Sequence, residues 1–173
     1  MIEQKLSVRL AALFAAAGVI LRLIPHPVSF WPVTALALFA GAHLRNRWGI
    51  LALLGALLVS DAFLGFHATM PFTWGATLIV MALGRTLSLP SFSPRILMGG
   101  LGASLIYFFL TNLGVFFMEN LYPHTWAGLA ECFRMALPFY RVTLAGDLVY
   151  TVVLFGVFHA ARAALLRRAQ ARA

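Results

Sequence analysis

The side chains able to do chemistry in this chain are few, and they are spread widely. Two carboxylates, Asp61 and Asp147, and two guanidinium groups, Arg22 and Arg141, fall inside or beside long apolar runs. An ionised carboxylate in such surroundings needs a cation, water or a task, and a guanidinium meets it with paired N–H donors. Asp147 follows Arg141 by six residues, roughly 9 Å deeper along a helix. These four groups either form ion pairs that lock helices together or make the polar floor of a ligand site. Asn112 adds an amide to that set. His26, His67 and His124 fall in three different loops, where convergence could hold a metal or offer an axial ligand to a metal carried by a ligand. No HxH or HxxxH spacing supports a preformed metal centre, and the plainer reading is three interfacial histidines with access to water. Trp31, Trp74 and Trp126 could wall such a site. Met70, Phe72, Trp74 and the run Tyr107–Phe109 are residue types that more often pack than bind, and Cys132 is either a soft donor or a small apolar residue. The chain lacks GxSxG, HExxH, a Walker loop and a GxGxxG after a strand.

The elements that must position these groups are membrane helices. The chain is 62% hydrophobic and only 10% charged, its mean hydropathy is +0.90, and soluble domains carry roughly 25% charged residues. A single cysteine excludes an intrachain disulfide and a CxxC metal site. The net charge of +8 comes from basic residues at the ends of apolar runs, not from a patch, which points to membrane topology and away from nucleic acid. Apolar runs cover Leu6–Ile24, Val33–Leu44, Trp48–Phe66, Met70–Arg85, Ile96–Met118 and Val142–Leu166. The first continues past the cleavage-like Ala15-Ala16-Ala17 and reads as a retained span. The second is too short to cross about 30 Å of hydrocarbon upright. Between them, Arg22 to Pro32 carries three prolines in eight residues together with His26, Phe30 and Trp31. Proline lacks an amide donor and restricts its predecessor, so the helix must break there, as the wall of a site or as an interfacial anchor. Residues 126–140 have helical apolar spacing with Glu131 and Arg134 between, predicting an amphipathic loop helix at the outer face. With both termini cytoplasmic, ten of the thirteen basic residues lie inside and Arg22, Arg134 and Arg141 outside. The expected fold is therefore all-α: one transmembrane domain over 1–173, a bundle of six transmembrane helices, N-in/C-in, with the lipid bilayer as solvent.

Several stretches carry a resemblance. Arg22-Leu-Ile-Pro25-His26-Pro27, Ser60-Asp61-Ala-Phe-Leu64-Gly65-Phe-His67, Thr111-Asn112-Leu-Gly114 and Leu144-Ala-Gly146-Asp147-Leu-Val-Tyr150 resemble a bacterial family of small six-helix proteins grouped with transporters. That family is similar in plan to the substrate-binding S-components of energy-coupling-factor (ECF) vitamin transporters, nearest the solitary cobalamin-specific group. The resemblance implies a multi-pass protein of the bacterial inner membrane that takes up a vitamin-like small molecule from the outer face. It has no intrinsic cofactor, and its ligand could be a metal-containing molecule such as cobalamin. The small-xxx-small pairs Ala11/Ala15 and Ala12/Ala16 fit an S-component motif that docks an energising transmembrane subunit with its ATPases. Some cobalamin-specific members supply a cysteine after the third helix. This chain has none there, leaving His67 or Met70 as substitutes. Expected substrate contacts are Arg22, His26, Trp31, Asp61, His67, Met70, Trp74, Asn112, His124, Arg141 and Asp147. Two rival readings are an intramembrane enzyme using the acid and histidine groups, and a structural or assembly subunit.

Overall fold

A computed structural model describes residues 2–24, 29–44, 47–87 and 91–171, with the side chains of 2–12, 165, 166 and 169 outside that description. The described residues form no strand. Six α-helices follow in order: α1 (Ile2–Leu23), α2 (Val33–His43), α3 (Arg47–Leu64), α4 (Met70–Gly84), α5 (Pro94–Met118) and α6 (Trp126–Gln170). A single 3₁₀ turn, Arg85–Leu87, closes α4. The proline-rich connectors start helices as their chemistry requires. Ser93 caps α5, its Oγ accepting from the Arg95 amide at 3.4 Å, and Pro94 occupies the first turn, where its missing N–H costs nothing.

The short second apolar run becomes the centre of the bundle. Nine of the eleven residues of α2 are buried, and the helix packs against α4 and α6 and also touches α5, α3 and α1. A helix apolar all round belongs inside protein. At about 16 Å in length it does not cross a bilayer, and its neighbours shield it from lipid. The α2–α4 crossing is close enough that only glycine fits. A Cβ on Gly41 would lie 1.9 Å from the Met81 carbonyl oxygen, and one on Gly84 2.2 Å from that of Leu38. Leu38, Val80, Met81, Ile96 and Phe155 fill the core around this contact. Toward the far end of α2, His43 packs among Phe39, Phe155 and Phe158, 6.0 Å from the ring of His159.

Three helices, α3, α5 and α6, are long and apolar enough to cross a membrane. Phe63, Met98 and Val157 stand exposed on them, an apolar surface suited to lipid rather than water. The structure corrects the sequence reading of the C-terminal third. Residues 126–140 are not a separate loop helix; they run into the following span as one helix of 45 residues. At about 68 Å, α6 is more than twice the thickness of the hydrocarbon layer, so one end extends well past it. Nothing between Tyr140 and Val142 breaks a helix, and Pro138 sits inside α6 without interrupting it.

Candidate binding site

The up-and-down course of the chain brings the C-terminal ends of α1, α3 and α5 together with the N-terminal ends of α2 and α4. A connected polar cluster there is built on Arg22 and Asp61. Arg22 Nη2 lies 2.8 Å from Asp61 Oδ1, with the two side chains 10% and 1% exposed. Trp74 Nε1 donates to Asp61 Oδ2 at 2.9 Å, so both carboxylate oxygens are engaged. Arg22 Nη1 donates to Ser60 Oγ, which itself donates to the Ala56 carbonyl at 2.7 Å. The pair ties α1 to α3 and α4. It is incomplete at one atom: Arg22 Nε is buried with no hydrogen-bond partner among the described residues.

Two cavities open beside this cluster. One, of about 350 Å³, is bordered by Arg22, Asp61, Leu64, Gly65 and His67. The other, of about 300 Å³, lies between α2, α5 and α6 and reaches Thr34, Thr111, Asn112, Tyr140, Thr143 and Asp147. Trp31, Val33, Thr73 and Tyr107 border both, forming a shared partition. The threonine hydroxyls are mostly turned inward to their own helices: Thr111 donates to the Tyr107 carbonyl at 2.8 Å and Thr143 to that of Phe139 at 3.2 Å. Asn112 likewise donates to the Phe108 carbonyl at 2.7 Å. Asp147 differs. It is 1% exposed, and neither carboxylate oxygen makes a hydrogen bond to a described residue; the hydroxyls of Ser104 and Thr34 lie beside it.

Of the sequence candidates, the structure gathers Arg22, Trp31, Asp61, His67, Asn112 and Asp147 around these cavities. Trp74 reaches the site only through Asp61. His26 lies outside the described residues. Four candidates are displaced. Arg141 is exposed and borders neither cavity, because six helical residues turn it about 120° away from Asp147. Asp61, not Asp147, holds the guanidinium, and the guanidinium is that of Arg22. His124 sits in the loop after α5 with its ring 5.1 Å from that of Phe116, on neither cavity. Met70 opens α4, a turn before the lining residue Thr73. Trp126 is 87% exposed rather than a wall. Among the described residues no group of three His, Cys, Asp or Glu is placed to hold a metal. Cys132 is buried, its thiol 3.6 Å from the Asn112 carbonyl oxygen, and reads as α5–α6 packing.

The residues that sequence reasoning passed over are Tyr107, Phe108 and the α6 face. Ala136, Tyr140, Thr143 and Asp147 are spaced four, three and four apart, which places them on one helix face, and all four line the second cavity. That periodicity was present in the sequence, hidden by splitting α6 at residue 141.

No curated protein and no solved structure matches this chain. A family model described as a family of unknown function, DUF6580, matches residues 2–170. The match runs nearly end to end, through every helix that borders the two cavities, and the chain therefore belongs to the DUF6580 family.

Proposed function

We propose that the protein is a substrate-binding membrane component for uptake of a vitamin-like small molecule. In this reading it lies in the bacterial inner membrane as a six-helix bundle, N-in/C-in, with the short α2 enclosed by the other helices, and takes its ligand from the outer face. The observation that carries the proposal is the pair of adjoining cavities at the Arg22–Asp61 end of the bundle, whose aromatic and aliphatic walls are interspersed with fixed polar groups. Small-molecule sites have that character, and their volumes begin at about 300 Å³. A protein whose polar residues served only to lock helices would have no need of hollows beside them. A corrinoid such as cobalamin is larger than both spaces together, so this conformation favours a smaller vitamin-like ligand. On α1, Ala16 is exposed and Ala15 half-buried, which supports a docking role for that helix toward an energising transmembrane subunit and its ATPases; the side chains of Ala11 and Ala12 lie outside the described residues.

Binding of a vitamin panel to the purified protein in nanodiscs tests the reading. For any ligand that binds, Tyr107→Ala and Asn112→Ala are expected to raise Kd about ten-fold or more, the equivalent of one lost contact of about 1.4 kcal/mol. Arg141→Ala and His124→Ala, outside both cavities, should leave Kd unchanged. The reverse pattern would move the site elsewhere.

A further inference from the structure

We infer that the cavity between α2, α5 and α6 takes an organic cation, with Asp147 as the counter-charge to an ammonium group of the ligand. This names the substrate class of the site described above and rests on that reading. Three observations converge. First, Asp147 is almost fully buried and borders the cavity, and among the described residues its carboxylate has only the neutral hydroxyls of Ser104 and Thr34 beside it, neither within hydrogen-bonding geometry. A buried ionised carboxylate is stable only when paired or fully hydrogen-bonded. Second, no described residue supplies a cation to it. None of the described residues lining this cavity is basic; the Arg22 guanidinium is bound to Asp61, and Arg141 is exposed. Third, the walls are aromatic. Trp31, Tyr107, Phe108 and Tyr140 line the same space, and the rings of Phe108 and Tyr140 lie 4.4 Å apart. Aromatic faces attract an ammonium through the ring quadrupole, most strongly where water is excluded. One carboxylate floor beneath aromatic walls suits an organic ammonium. A bare metal ion would instead ask for several converging oxygens.

The field of Asp147 can be read without knowing the ligand. Cys132 is the only cysteine of the chain, so Cys132→Ala gives a thiol-free background. Thr143→Cys then places one thiol in the cavity wall, four residues and one helical turn before Asp147. The probes are two methanethiosulfonates, one carrying a trimethylammonium group and one a sulfonate, with rates normalised to those on free 2-mercaptoethanol. The cationic reagent is expected to be favoured at least about ten-fold, and Asp147→Asn, which keeps the shape of the side chain, should reduce the preference to within about two-fold. The preference in the Thr143→Cys protein is itself a test should Asp147→Asn fail to fold. The preference is expected to fall when tetramethylammonium, a small organic ammonium, replaces sodium at equal ionic strength; a preference that sodium suppresses and tetramethylammonium does not would assign the site to an inorganic cation and overturn the inference. Equal modification by both charges, unchanged by Asp147→Asn, would overturn the cation assignment and leave the uptake reading standing. No modification by either reagent in folded protein would show a cavity closed to solutes, and both readings would fall.

Discussion

Arg22→Ala is expected to destabilise the protein by about 3–5 kcal/mol, the usual cost of stranding one member of a buried ion pair. Asp61 is 1% exposed. Without Arg22 its carboxylate would keep a single side-chain donor, Trp74 Nε1 at 2.9 Å, and no charge to balance it. Asp61→Ala should cost a comparable amount, because Arg22 is itself largely buried and its Nη2 would lose its anion. The double variant Arg22→Met/Asp61→Leu separates the two roles the pair could play. Apolar replacement of a whole buried pair is often neutral or stabilising, so most of the lost stability should return. Ligand binding should not, since the cavity beside the pair would lose both charged groups on its border. Thermal unfolding in detergent reads the first quantity and equilibrium binding the second. A double variant that recovers both would reduce Arg22 and Asp61 to a helix lock. Single variants within about 1 kcal/mol of the parent, the range of exposed pairs, would mean that water reaches the pair.

Much of this arrangement was legible in the sequence, and the rest failed for identifiable reasons. Hydropathy and proline positions located the first five helices, because an apolar run bounded by Pro or Arg allows few other structures. The grouping of Arg22, Asp61, Asn112 and Asp147 at one end followed from alternating chain direction alone. Depth was easier to infer than azimuth. Arg141 and Asp147 were compared by rise and not by rotation, which hid that they occupy different faces of α6. Splitting α6 at Arg141 concealed the Ala136–Tyr140–Thr143–Asp147 stripe for the same reason. Tyr107 and Phe108 read as packing in the sequence because an aromatic lining a cavity and an aromatic filling a core have the same residue type; Phe109, one position on, does face outward. Which arginine pairs with which aspartate depends on the packing of α1 against α3, and a single sequence carries no local signal for that.

Gly41→Ala should be among the most damaging single-atom additions in the protein. The new Cβ would lie 1.9 Å from the Met81 carbonyl oxygen and 3.0 Å from the Gly84 Cα. Those are backbone atoms of a helix, which cannot swing aside as a side-chain tip does, so α2 and α4 must separate. Gly84→Ala meets the Leu38 carbonyl oxygen at 2.2 Å and the Gly41 Cα at 3.1 Å from the other side of the same crossing. Each is expected to cost about 3 kcal/mol, the upper end of ordinary overpacking. Gly55 and Gly75 provide the contrast, since both lie in helices with nothing within 4 Å of an added Cβ. Alanine there should be neutral or stabilising by up to about 1 kcal/mol through helix propensity. If all four variants unfolded alike, the close crossing would not exist as described. The effect should also reach the site. Val33 and Thr34, at the N-terminal end of α2, and Thr73, near the start of α4, line the cavity. Forcing the two helices apart at Gly41 widens the space those residues define, so folded Gly41→Ala protein is expected to bind ligand more weakly although residue 41 borders neither cavity. Gly55→Ala, on α3, should bind as the parent does.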